Sequence, residues 1–305
     1  MSDRSYPHLL PQIRSLADEP AELRIRRIRM DRWIGYARAE AALSAMEDLL
    51  TFPKRTRMPN LLLVGPSNNG KTMIVEKFRR EHMRGAEADV REGAIAVPVL
   101  KVQTPPAPDE RRFFSAVLEA LGAPDRSNDL LAAKQDMAMR MLRATDVRLL
   151  AIDEVHNILS GSRDQQRRFL NLLRWLGNEL QIPLVAVGTS EALRAIQSDD
   201  QIQSDDQLAN RFTPFRLPPW SFDAEYRRML NTLEAMLPLR EPSGLEEPAV
   251  AQKILATAEG ILGEVVNLVT MAAVAAIIAG EERIRIERIE NMGFIPPTER
   301  RHAAG

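Results

Sequence analysis

Eight residues, Gly65-Pro66-Ser67-Asn68-Asn69-Gly70-Lys71-Thr72, limit what this chain can fold into more than any other feature. They match G-x-x-x-x-G-K-[ST] in full and sit in the context the motif needs. The apolar run Leu61–Val64 reads as a buried strand before them, and Met73–Met83 reads as a helix after them. Glycines at 65 and 70 let backbone amides wrap a polyphosphate, and a helix that starts at Gly70 adds the partial positive charge of its amino end. On this reading Gly65, Pro66, Ser67, Asn68, Asn69 and Gly70 form the cradle. Lys71 reaches the β- and γ-phosphates, and the Thr72 hydroxyl is a ligand for Mg²⁺.

A second element follows about 80 residues later. Arg148-Leu-Leu-Ala-Ile-Asp153-Glu154 is a short apolar strand that ends in two acids. Asp153 is placed to hold Mg²⁺ through water and Glu154 to polarise an attacking water. No N-K-x-D guanine-reading motif is present, so the nucleotide expected is ATP. The next strand, Val185–Thr189, ends in a hydroxyl. Thr189 has two readings, a water-orienting group beside the γ-phosphate or an N-cap for the helix that begins at Ser190. Arg211, just before the last strand-like stretch (214–217), is either an arginine finger for a neighbouring chain or a structural surface residue.

Composition narrows the rest. The chain has 305 residues, 45% hydrophobic and 27% charged, with a net charge of −1. That is globular composition without the bulk positive charge of a protein that coats nucleic acid, so any DNA contact must be local. With no cysteine, disulfides, thiolate metal sites and thiol catalysis are excluded. Only six of the 41 basic residues are lysine; the arginine excess fits phosphate forks or a coding bias equally. Charges near the amino end argue against a signal peptide, and the expected location is the cytoplasm. Ile261–Ala279 is apolar enough to raise a membrane reading, but Glu264, Asn267 and Thr270 interrupt it, so a buried helix is expected.

Strands alternate with helices from residue 59 to 218, and helices alone follow. This predicts an α/β core with a parallel sheet in three layers. The expected divisions are an N-terminal helical segment (1–58), the phosphate-loop core (59–218), a small helical lid (219–292) and a flexible tail (293–305).

These motifs together carry the signature of an AAA+ ATPase. The blocks PHLLP, DRWIGYARAEAAL, MPNLLLVGPSNNGKTMIVEKFRREH, LLAIDEVHNIL, AVGTSEA and NRFTPFRLPPW resemble the TniB family of transposition ATPases, over about residues 6–295. More distantly the chain is similar to TnsC and the Mu transposition protein B. The resemblance implies an ATP-dependent target-site selector. Such a protein assembles as a ring or filament on double-stranded DNA, recruits a transposase with a TniQ-like adaptor, and disassembles on hydrolysis. It also implies that the N-terminal segment makes partner contacts and lies on the adenine side, with Trp33, Ile34, Gly35 and Tyr36 near the base; packing of Trp33 on the core is the plainer reading. A helicase-loader-like ATPase and a nucleotide-switched signalling scaffold are the alternatives. Many AAA+ lids carry an arginine that touches the γ-phosphate, whereas Ala258–Gly280 here holds no Lys or Arg, so assembly-dependent hydrolysis is expected. Candidate DNA contacts are Lys101, Arg111 and Arg112 around the loop after the second strand, and Arg163, Arg167 and Arg168 on the helix after Glu154. For each of them a solvated face is the plainer explanation. Ile196–Gln201 is repeated in tandem as Ile202–Gln207, and the extra copy is expected to form a solvated loop.

Overall fold

The computed structural model describes residues 6–88, 96–126, 128–197 and 211–303. All but the first two residues of the tandem repeat lie outside them. The chain starts with α1 (Pro11–Arg14) and α2 (Ala21–Arg29). An α/β stretch follows: α3 (Ala37–Leu50), β1 (Asn60–Val64), α4 (Lys71–Ala88), β2 (Val99–Gln103), α5 (Glu110–Ala120), α6 (Leu131–Ala144), β3 (Leu149–Asp153), α7 (Arg163–Leu180), β4 (Leu184–Gly188), α8 (Ser190–Gln197) and β5 (Phe212–Arg216). The chain closes with α9 (Ala224–Ala235), α10 (Pro248–Thr257), α11 (Leu262–Ala279), α12 (Ile286–Asn291) and α13 (Pro297–Ala303). Two compact units result: Arg38–Leu217, and Met1–Ala37 together with Pro218–Gly305.

In the α/β unit the five strands are all parallel, in the order β2-β3-β4-β1-β5. Every residue of β1, β3 and β4 is buried, which is why these strands read as continuous apolar runs rather than alternating ones. The two edges behave differently. β5 is largely exposed and accommodates Pro214, while Pro98 lies just before β2 and its carbonyl accepts from the amides of Arg148 and Leu149. Phe113 and Phe169, from α5 and α7, meet edge to face at 5.3 Å in the core on one side of the sheet. The chain leaves β1 for the far edge at β2, and leaves β4 for β5 on the other side of β1. The connections therefore diverge at the β1–β4 boundary, the kind of switch point at whose carboxyl ends parallel sheets bind ligands.

The structure divides the N-terminal segment differently from the single 1–58 block that the sequence suggests. Ile28 and Ile34 are buried with Tyr226, Leu230, Leu262 and Val265, so residues up to 37 build the core of the helical unit. α3 instead buries Ala42, Leu43, Met46 and Leu50 in the α/β unit, and the Leu50 carbonyl accepts from Arg148. Within the stretch expected as a tail, residues 297–303 form α13. The Thr298 amide and hydroxyl in α13 donate to the Glu259 carboxylate at 2.9 and 2.7 Å, and Arg300 pairs with the buried Glu264. That arginine serves the acid that the Arg- and Lys-free stretch cannot serve itself. α11 passes the length and hydropathy test for a membrane span, yet 56% of it is buried within the protein, as expected for a core helix.

A second ion pair ties elements of the helical unit together. Arg24 is 2% exposed; it donates to the Pro238 carbonyl at 2.9 Å and forms a two-pronged pair with Glu282. Burial opposes ionisation of Glu282, but the hydrogen bond and charge of Arg24, with Arg240 beside them, hold its carboxyl below the usual range. A depressed carboxylate contributes stability that is complete above its ordinary pKa and is lost as pH falls through the folded value. Glu282→Gln leaves a buried guanidinium without its counter-charge, and a loss of about 3–5 kcal/mol is expected. Urea unfolding at neutral pH and in acid checks this: the deficit of the variant should shrink as the wild-type carboxylate protonates.

Candidate functional site

The phosphate loop spans the gap between β1 and α4. Asn68 (φ 59°) and Gly70 (φ 82°) take the left-handed conformations that turn its backbone. Gly65 is required for a different reason: a Cβ there would lie 2.6 Å from the Leu217 carbonyl oxygen. That carbonyl also accepts from the Asn69 side chain at 3.0 Å, and the Leu217 amide donates to Val64 at 2.7 Å. The residue after β5 thus clasps the loop. Asn69 spends its side chain on that anchor, which leaves its backbone for the cradle. The Lys71 ammonium donates to the carbonyls of Gly65 and Pro66 at 2.9 and 2.5 Å. Burial lowers its pKa, against the opposing pull of Glu154 and Asp153.

The acids arrive from β3. Asp153 is 6% exposed. Its Oδ2 accepts from the Thr72 hydroxyl at 2.9 Å, and its Oδ1 accepts from the Glu154 amide at 2.9 Å. A hydroxyl and a carboxylate that converge in this way, at the amino end of α4, match the hard oxygen donors that Mg²⁺ takes. Glu154 leaves the strand in a left-handed conformation (φ 56°), with its side chain 40% exposed and 3.1 Å from the His156 imidazole. His156 packs where Gly188 has no side chain; a Cβ there would lie 3.3 Å from its Nδ1.

β4 lies between β1 and β3, so Thr189, just past its end, follows the strand that separates the phosphate loop from the acids. The Thr189 hydroxyl accepts from the Glu191 amide at 3.4 Å, and its carbonyl accepts from Ala192 at 2.9 Å. Of its two readings, the capping of α8 is therefore present. Arg211 is at the opposite end of the sheet, next to Phe212, whose register partner is Asn60. Its guanidinium donates to the Asn178 side chain at 2.8 Å.

The candidate DNA residues separate into two groups. Arg111 and Arg112 are exposed in the first turn of α5, and Arg163, Arg167 and Arg168 are exposed along α7. The segments that carry them touch: Ser160 donates to the Pro106 carbonyl at 2.7 Å, Asn157 donates to the Thr104 carbonyl at 3.2 Å, and Gly161 lies against Pro108. Lys101 does not belong with them. Its ammonium is half-buried and 3.4 Å from Asp153 Oδ2, because it projects from β2 on the face that Asp153 shares. In the helical unit Ile34 is buried in the core, Trp33 is half-buried and Gly35 is exposed. Sequence reasoning missed Lys101 at the acids, His156 beside Glu154 and the Leu217 clasp. A lysine inside an otherwise buried strand and a histidine two residues after the second acid were the available signals.

A family model described as bacterial TniB protein matches residues 24–222. No curated protein matches. Among solved structures, the chain is similar to the Aeropyrum pernix ORC2 protein in ADPNP–ADP complexes, at 17% identity and a TM-score of 0.60, with 87% of this chain and 69% of that one covered. It is also similar to the Aeropyrum pernix ORC1 protein in complex with DNA, at 18% identity and a TM-score of 0.59 over 87% and 67%. A third similarity is to Cdc6p from Pyrobaculum aerophilum, at 15% identity and a TM-score of 0.58 over 84% and 67%. These likenesses, with the parallel sheet and its phosphate loop, show an α/β P-loop fold.

Proposed function

The chain belongs to the TniB family, and from that premise we propose that it is an ATP-dependent, DNA-binding regulator of transposition. The observation that carries the reading is the convergence of Lys71, Thr72, Asp153 and the Glu154 backbone at the carboxyl ends of β1 and β3, on the amino end of α4. ATP is the nucleotide and Mg²⁺ its ion, held by Thr72 and Asp153; when bound, Mg²⁺ neutralises charge on the phosphates. Lys71 leaves its two carbonyls for the β- and γ-phosphates. Glu154 takes the proton of the attacking water, and Thr189 helps to orient that water. The nucleotides bound to the ORC2 relative and the DNA bound to the ORC1 relative support both ligands.

DNA contact falls to the arginines that α5 and α7 bring to adjoining segments: Arg111, Arg112, Arg163, Arg167 and Arg168. The protein assembles head to tail on double-stranded DNA in the bacterial cytoplasm. It recruits a transposase and a TniQ-like adaptor, and it releases DNA on hydrolysis. Sizing chromatography with a non-hydrolysable ATP analogue tests this: duplex DNA of any sequence should promote assembly, and a failure to do so overturns the reading. Replacing Arg111, Arg112 and Arg163 together should flatten the plot of log affinity against log salt by about 0.9 for each phosphate that is no longer neutralised, and ATP binding should stay intact. An unchanged slope places the DNA face elsewhere.

A further inference from the structure

Lys101 interrupts a strand whose neighbouring residues Val99, Leu100 and Val102 are all buried. The register explains where its charge goes. Lys101 pairs with Ala151 and Gln103 pairs with Asp153. Side chains two residues apart share a face of a strand, so Lys101, Ala151 and Asp153 project from the same side of the sheet. The ammonium extends one step along the strand to Asp153 Oδ2, 3.4 Å away. Among the described residues Asp153 is its one carboxylate partner within ion-pair distance. The same oxygen accepts the Thr72 hydroxyl.

Those two oxygens, Asp153 Oδ2 and Thr72 Oγ1, are the ones assigned above to Mg²⁺. An Mg²⁺ ion held by the Thr72 hydroxyl and, through water, by Asp153 would bring a doubly charged ion close to the ammonium. Two cations then compete for one buried oxygen, and like charges in such a site repel strongly. We propose that Lys101 is the resident counter-ion of Asp153, that it must withdraw when Mg²⁺ binds, and that it thereby sets the Mg²⁺ concentration at which the nucleotide site loads. The inference rests on the nucleotide reading of the site. It gives the strand lysine a purpose that DNA contact does not: neutralising an acid that has little access to water. The side chain is 23% exposed, so a path into solvent exists for its charged end.

The test uses the full-length protein and the variant Lys101→Met, with two readouts. The first is binding of a fluorescent ATP analogue as Mg²⁺ is raised from EDTA to millimolar. Lys101→Met should reach half-saturation at a Mg²⁺ concentration lower by about tenfold or more, because one competing unit charge is gone. The second is thermal melting with Mg²⁺ alone, which needs no nucleotide. Without Mg²⁺ the variant should melt below wild type, and Mg²⁺ should raise its midpoint while leaving wild type nearly unmoved. Adding Asp153→Asn to Lys101→Met should remove that Mg²⁺ response. Equal Mg²⁺ midpoints in both readouts, or a higher requirement in the variant, would overturn the proposal. Failure of wild type itself to bind nucleotide would overturn the nucleotide reading instead, and the melting experiment would still decide the role of Lys101. Should Lys101→Met not fold, Lys101→Gln replaces it in the same measurements.

Discussion

Glu154→Gln is expected to slow ATP hydrolysis by about 10²–10⁴-fold, the usual worth of a positioned general base, while ATP binding persists. The structure separates the two functions. Groups that would bind the nucleotide are Lys71, Thr72 and Asp153, tied to one another and to the loop backbone. Glu154 hydrogen-bonds to that set only through its amide, which donates to Asp153, and its charge adds a pull on Lys71 that glutamine removes. Its carboxylate points away to His156 and the solvent. Glutamine keeps the shape and the amide and loses the proton acceptor, so an assembled, ATP-loaded state should accumulate. Lys71→Ala is the contrast: it removes the point charge that bridges the phosphates, and binding itself should be lost. A nucleotide-binding titration beside a steady-state hydrolysis assay distinguishes the two variants. Hydrolysis by Glu154→Gln at the wild-type rate would show that Glu154 is not the base.

The α/β unit was legible because its physics is local. Strands buried on both faces must be apolar throughout, so Leu61–Val64, Leu149–Ile152 and Leu184–Val187 stood out from the polar helices around them. The phosphate loop was legible because glycine, lysine and threonine at fixed spacing have few other uses. What escaped depends on pairings between distant residues. Lys101 sits close in sequence to Arg111 and Arg112, and only the β2–β3 register shows that it belongs to Asp153 instead. Asn69 lies inside the motif, yet its side chain answers to a carbonyl 148 residues away. α2 looks like a solvated basic helix, and nothing local marks Arg24 as the one arginine buried against Glu282. α13 has no apolar stripe, and its attachment depends on acids at 259 and 264.

Arg211→Ala should bind ATP as a monomer and lose assembly-stimulated hydrolysis by about 10³–10⁵-fold, the range for a finger supplied in trans. Arg211 precedes Phe212, which pairs with Asn60 at the start of β1, whereas Gly65 follows the Val64–Arg216 pair at the other end. Five residues at about 3.3 Å each separate the two ends by roughly 17 Å, so Arg211 cannot serve the phosphate loop of its own chain. Its guanidinium is held by Asn178 in the last turn of α7, which fixes its direction before any partner arrives. Docking the amino edge of one sheet against the carboxyl edge of the next is a head-to-tail contact, the kind that generates rings or open filaments. Complementation then discriminates. In a mixture of Arg211→Ala and Lys71→Ala chains, some interfaces pair an intact loop with an intact finger, about one quarter at equal ratio for random head-to-tail assembly. Hydrolysis should reappear at those interfaces, peak near equal ratio and vanish at either extreme. Absence of rescue at every ratio, with both variants still assembling, would make Arg211 a structural partner of Asn178 and leave the neighbouring site without its finger.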